Sequence, residues 1–211
     1  MKELEKRDFS FDVLAEQDEE RGSRLTGRPI VYNSRTDLGL FDEVIEGGAL
    51  AQTDLRDVRF LVNHDLSKIP LARSRRNNGN STMQLRPDER GMEIDVLLDT
   101  ENNADARALY SAVSRGDISG MSFMFSVDDE EWEDLESEHP TRHIRKIGTV
   151  VEVSAVTFPA YDSTDIQARS LQALENARTA LERAKKEQRA KPLESEENLE
   201  LLKAKMNLIG G

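Results

Sequence analysis

Up to residue 158, apolar side chains recur mostly at alternate positions, the spacing of strands with one buried face. "DFSFDVLA" (8–15) alternates Phe9, Phe11 and Val13 and predicts a strand. "RLTGRPIVYN" (24–33) predicts a second, with the polar "EQDEERGS" (16–23) as a solvated turn between them. "FDEVIEGGAL" (41–50) reads as a short connection bent at Gly47-Gly48. "VRFLVNH" (58–64) and "IPLARS" (69–74) read as short strands around the tight segment "DLSK". Residues 81–98 form the clearest hairpin, turning at "PDERG". In 103–116 the period changes: Ala106, Leu109, Tyr110 and Val113 keep helical spacing, and Gly116 ends the run. Residues 118–127 return to a strand, and 143–158 predict a long strand or hairpin ended by Pro159.

From Asp165 the chain is rich in Ala, Leu, Glu, Arg and Lys. Leu171, Leu174 and Leu181 follow a heptad-like seam, which Pro192 interrupts. Ser195 then stands as an N-cap before a stripe of Leu199, Leu202, Met206 and Ile209, with Gly210 as a stop. Two readings stand for this region: a docked amphipathic helix pair, or an oligomerising, scaffold-like tail. The element order, without βαβ alternation or a Gly-rich phosphate loop, points to an α+β fold. The expectation is a mainly antiparallel, barrel-like β domain over 1–168, with surrounding helices and a helical C-terminal tail over 169–211.

Composition narrows the function. In 211 residues, 37% are apolar and 33% charged, with a net charge of −12 and a pI near 4.8. Nucleic-acid binding needs clustered Lys and Arg, so this balance argues against it and favours basic partners. With no cysteine, disulfides and thiol catalysis are excluded. No apolar run reaches the roughly 20 residues of a membrane span, and "MKELEKRDFS" lacks a signal-peptide core. A soluble intracellular protein is expected.

The histidines are His64, His139 and His143. His139 and His143 have the i, i+4 spacing of a helical zinc clamp, but Pro140 lies between them and no acid stands where a metalloprotease helix needs one. A surface loop fits them better, and no metal or other cofactor is expected. The run "DDEEWEDLESE" (128–138) places eight acids in eleven residues. It lacks the central glycine of a calcium loop and reads as a solvated, mobile excursion.

Nucleophilic chemistry has three single signals. "ISGMSFMFSV" (118–127) places serines in an apolar strand. Alternation puts Ser122 and Ser126 on one face and Ser119 on the other. His64 ends the strand "FLVN" at an expected sheet rim, where a lone histidine is ordinarily structural. Glu152 interrupts "VVEVSAV" (150–156), sharing a face with Val150, Ser154 and Val156. A carboxylate there is costly unless partnered, or else the strand is a wet edge. Together they supply a hydroxyl, an imidazole and a carboxylate from three strands.

"FLVNHDLSKIPLARS", "GDISGMSFMFSV" and "VVEVSAVTFPAYDSTDIQAR" occur in that order. Over about residues 8–169 the chain resembles the prohead (capsid maturation) serine proteases of tailed phages, relatives in fold of the herpesvirus assemblins. The resemblance implies His64 as catalytic base, Ser122 as nucleophile and Glu152 as the third member. His143 is the alternative third member, because the assemblins use a second histidine there. Met124 departs from the pattern, where many relatives have glycine. Arg73 is an oxyanion candidate through its nearness to His64 in sequence. The resemblance further implies a serine endopeptidase that removes the scaffold segment of the major capsid protein and cuts itself. It would work inside the immature capsid, in the host or bacterial cytoplasm, as a dimer or higher oligomer. A protease-fold scaffold component acting through its helical tail is the competing reading. A solute-binding β-barrel has composition alone behind it.

Overall fold

A computed structural model of the chain describes residues 4–9, 13–18, 22–157 and 171–190. The elements in chain order are β1 (Glu5–Phe9), β2 (Leu14–Asp18), β3 (Gly22–Val31), β4 (Arg35–Asp37), β5 (Asp42–Ile45), β6 (Asp57–Val62), β7 (Ala72–Arg75), β8 (Met83–Asp88), β9 (Gly91–Leu97), α1 (Ala104–Ser114), β10 (Gly120–Glu133), β11 (Thr141–Val156) and α2 (Leu171–Ala190). The fold is α+β, as expected.

The long antiparallel hairpin β10–β11 is the frame of the larger sheet. Its order is β1-β10-β11-β5-β4, and β6 also pairs with β11 and carries β7. A second sheet runs β2-β3-β9-β8. One hydrophobic cluster joins Leu25, Ile94 and Val96 of the small sheet to Phe60, Phe123 and Val153 of the large one, with Leu109 and Val113 of α1. The 81–98 hairpin turns at Glu89-Arg90, and Gly91 follows at a φ of 140°. A Cβ at Gly91 would stand 1.9 Å from the Ile30 carbonyl oxygen, so only glycine fits this approach. Asn103 caps α1, its side-chain oxygen accepting the backbone N–H groups of Asp105 and Ala106.

Several expectations are corrected. The sheets do not close into a barrel: β10 and β11 run 14 and 16 residues, and their far end continues as a ribbon that β5 and β4 extend. The pairing is mainly antiparallel, as expected. β11 takes two parallel partners at different points, β5 along Thr141–Ile144 and β6 along Glu152–Ala155. Segment 41–50 therefore contributes a strand before its turn, with Glu43 and Ile45 buried and Val44 half-buried beside β11. Segment 8–15 divides between β1 in one sheet and β2 in the other. Ile69 is exposed, and the strand predicted at 69–74 starts only at Ala72.

The acidic run is not a loose excursion over its first half. Asp128–Glu133 continue β10, and Asp129–Glu133 pair with β11. Glu130 reaches Arg142, which is fully buried. Arg142 also binds Glu5 at 2.6 and 2.8 Å and Glu43 at 3.0 Å. Arg7 donates to Glu43 at 2.5 and 2.6 Å and to Glu5 at 2.6 Å. Arg183 of α2 closes the set on Glu130 at 2.8 Å. The three carboxylates and three guanidiniums balance, the condition on which buried charge is tolerated. Burial pushes the Glu5 carboxyl up, but the hydrogen bonds and charges of Arg142 and Arg7 outweigh it and hold it at about 2.

α2 docks through Ala177, Ala180 and Ala184, which are buried at helical spacing, while Leu181 is only partly covered. Small side chains let the helix approach the sheet at β1. The expected second tail helix at 195–209, the break at Pro192 and the boundary after residue 168 lie outside the described residues. Among the described residues no helix is long and apolar enough to cross a membrane.

Candidate active site

β6 ends in a tight turn that presents His64. Asn63 and His64 both adopt left-handed backbone angles, with φ of 51° and 57°. Asparagine tolerates this region, but histidine does so less readily, and such strain persists only where surroundings impose it. Here the end of β11 imposes it. The Asn63 N–H donates to the Ala155 carbonyl at 2.9 Å, and the Asn63 side-chain oxygen accepts the Thr157 N–H at 2.9 Å. The His64 N–H donates to Ser154 Oγ at 3.1 Å.

The hairpin register places the remaining groups. Ser122 lies opposite Ser154, and Met124 opposite Glu152. Phe125 then pairs with Val150, leaving Val151 as an extra residue in β11. Such a bulge re-aims the side chains beyond it. Val150 accordingly joins the hydrophobic core with Val153 and Ala155, rather than sharing the face of Glu152 as simple alternation predicts. β11 is an interior strand, so Glu152 is not at a wet edge; it is fully buried.

Ser122, His64 and Glu152 form a continuous chain. Ser122 Oγ is 2.6 Å from His64 Nε2, and His64 Nδ1 is 2.5 Å from Glu152 Oε1. The second carboxylate oxygen accepts the Ser154 hydroxyl at 2.6 Å. Both Glu152 oxygens are thus engaged, which is what a fully buried carboxylate requires. Ser122 Oγ also lies 2.8 Å from the Arg7 carbonyl oxygen. Its single proton therefore faces two acceptors when His64 Nε2 is unprotonated. With Nδ1–H directed at Glu152, Nε2 is the nitrogen placed to take that proton.

The other residues singled out from the sequence stand elsewhere. Arg73 donates to Asp57 at 2.6 and 2.7 Å, so its guanidinium is committed to β6 rather than to Ser122. His143 lies near the opposite end of β11, with ring nitrogens 3.3 Å from Glu46 and from Glu133. His139 is exposed beside Asp42, at 3.1 Å, and Asp37, at 3.7 Å. Ser119 precedes β10 and offers its carbonyl to the Val13 N–H. Met124 is buried, directly opposite Glu152.

Two contributors escaped the sequence reading. Ser154 was visible only as a neighbour of Glu152, although the spacing in Glu-Val-Ser puts both side chains on one strand face. Asn63 carried the signal of an asparagine at a strand end, a residue suited to a left-handed turn.

Among known proteins, neither curated sequences nor solved structures match the chain. Residues 9–178 match the family model of the caudovirus prohead serine proteases, and the chain belongs to that family.

Proposed function

We propose that the chain hydrolyses peptide bonds with Ser122 as nucleophile, His64 as general base and Glu152 as the group that holds the imidazole. One observation carries the assignment: in a member of a serine protease family, the Ser122–His64–Glu152 chain spans 2.6 and 2.5 Å. Ser122 Oγ attacks the scissile carbonyl carbon while its proton passes to His64 Nε2. Glu152 accepts the Nδ1–H bond and stabilises the imidazolium as it forms. His64 then returns the proton to the leaving amine, and an acyl-serine remains. Water, deprotonated by His64, attacks the acyl carbon; the bond to Ser122 Oγ breaks, His64 returns the proton to that oxygen, and the carboxylic acid product leaves.

The family's part in capsid maturation and its association with capsid proteins support a reading of the substrates. They are the scaffold segment of the major capsid protein and the chain itself, inside the assembling capsid in the host cytoplasm. The β domain carries the chemistry, and the region beyond residue 168 serves assembly.

Intact mass of the purified chain over time tests the assignment. Wild type and Ser119→Ala should be trimmed progressively, whereas Ser122→Ala should keep its mass and an unchanged thermal transition. Trimming of Ser122→Ala would sink the nucleophile assignment.

A further inference from the structure

Beside the catalytic turn lies a cleft of about 450 Å³, within the size range of pockets that enclose ligands. α1 forms one wall, and β6 with the following segment forms the other. Leu61, Leu71, Leu109 and Ile118 line it with carbon. Asn63 and Asp65, the two neighbours of His64, line it as well. Leu61 pairs with Ser154, so the cleft reaches the strand position next to the Glu152 support. Ile118 places its far wall just before β10, four residues from Ser122.

The segment between His64 and β7 carries Leu66 and Ile69, which are 60% and 84% exposed. Ile69 also lines the cleft, and Lys68, Asp65 and Asp105 supply its polar groups. An apolar floor, an uncovered apolar lip and a few polar groups are what an extended peptide meets when one aliphatic side chain anchors it and its backbone stays wet. The cleft reaches both neighbours of His64, whose Nε2 lies 2.6 Å from the Ser122 hydroxyl.

We propose that this cleft is a specificity subsite that takes an aliphatic side chain of the substrate, close in sequence to the bond that Ser122 cuts. The assignment rests on the protease reading above. It makes the preference for cleavage sites a property of α1 and the 65–71 segment rather than of the Ser122–His64–Glu152 chain. Ala108 lies at the mouth of the cleft, on the exposed side of α1. A large side chain there would fill the opening without entering the core.

The test uses the full chain, wild type and Ala108→Trp, with two probes: a fluorophosphonate that labels reactive serines, and a randomised peptide library. Wild type should be labelled at Ser122 and should select an aliphatic residue at one fixed distance from the cleaved bond. Ala108→Trp should be labelled at an unchanged rate, yet cleave the selected peptides about tenfold or more slowly, as expected when an apolar pocket loses its ligand. Its preference should move to smaller residues at that same position. Labelling without aliphatic selection, or selection that Ala108→Trp leaves unchanged, overturns the subsite alone. A wild-type chain not labelled at Ser122 overturns the protease reading, and the subsite with it.

Discussion

Ser154 donates its hydroxyl proton to Glu152 at 2.6 Å and accepts the His64 backbone N–H at 3.1 Å. One small side chain therefore fixes both ends of the imidazole–carboxylate contact. Hydrogen bonds to a charged group are worth about 1.5–3 kcal/mol, so Ser154→Ala should lower kcat by roughly ten- to a hundredfold. KM should stay near wild type, because Ser154 lies behind the reacting groups. Ser154→Thr should recover much of the rate. Steady-state kinetics on a cleaved peptide would check this. A variant with raised KM and intact kcat would show that Ser154 shapes substrate binding instead.

Glu152→Gln keeps the shape of the side chain but removes the charge opposite the imidazolium. In the template Ser-His-Asp enzymes the equivalent change costs about 10⁴ in kcat, and a loss of that order is expected here. His143→Gln should act within about twofold of wild type, as surface substitutions away from the reacting groups ordinarily do. The pair of rates decides between the two candidates for the third member. A large loss in His143→Gln with a small one in Glu152→Gln would reverse the assignment.

The elements visible in the sequence were those whose signals are local. Hairpin 81–98 announces itself through its turn, and α1 through the spacing of Ala106, Leu109 and Val113 and the stop at Gly116. β5 was missed because it is only four residues long, with a three-residue antiparallel neighbour in β4 and a parallel partner in β11 nearly a hundred positions away. Charge misled at 128–133: Glu130 lies in an acidic stretch, yet its partners Arg142 and Arg183 come from β11 and α2. No local pattern shows that Glu5, Glu43 and Arg142 meet. The extra residue at Val151 was equally hidden, since a bulge is a relation between two strands. For the Ser122–His64–Glu152 chain, each residue had an unremarkable reading by itself. In the sequence, only the resemblance of three blocks joined them.

Arg142 binds three carboxylates, so its loss should be felt well beyond one contact. Arg142→Met leaves Glu5, Glu43 and Glu130 with only Arg7 and Arg183. Removing one partner from a buried ion group typically costs about 3–5 kcal/mol, and a loss of that size is expected in denaturant unfolding. Adding Glu5→Gln to Arg142→Met should recover part of it by removing an uncompensated charge. If the double variant is less stable than the single by the full cost of Glu5→Gln alone, the two residues are not coupled.

Acid should loosen the attachment of β1 before it affects most of the core. Glu5 sits at about 2, below its ordinary 4.5, because Arg142 and Arg7 outweigh the effect of burial. A carboxyl whose folded value is depressed binds its proton more readily in the unfolded chain. Its contribution is complete above about 4.5 and is lost as the pH falls towards 2. Glu130 is shifted in the same direction: burial opposes the shift, and Arg142 and then Arg183 outweigh it. Glu43 is hydrogen-bonded to Arg7 and Arg142 in the same cluster. Wild type should therefore be much more stable than Glu5→Gln at neutral pH, with the gap narrowing through this acid range. Thermal unfolding of both chains at a series of pH values measures that gap. A gap that stays constant down to pH about 2 would mean that Glu5 keeps its proton out of the linkage, and that packing rather than charge holds β1 on β10.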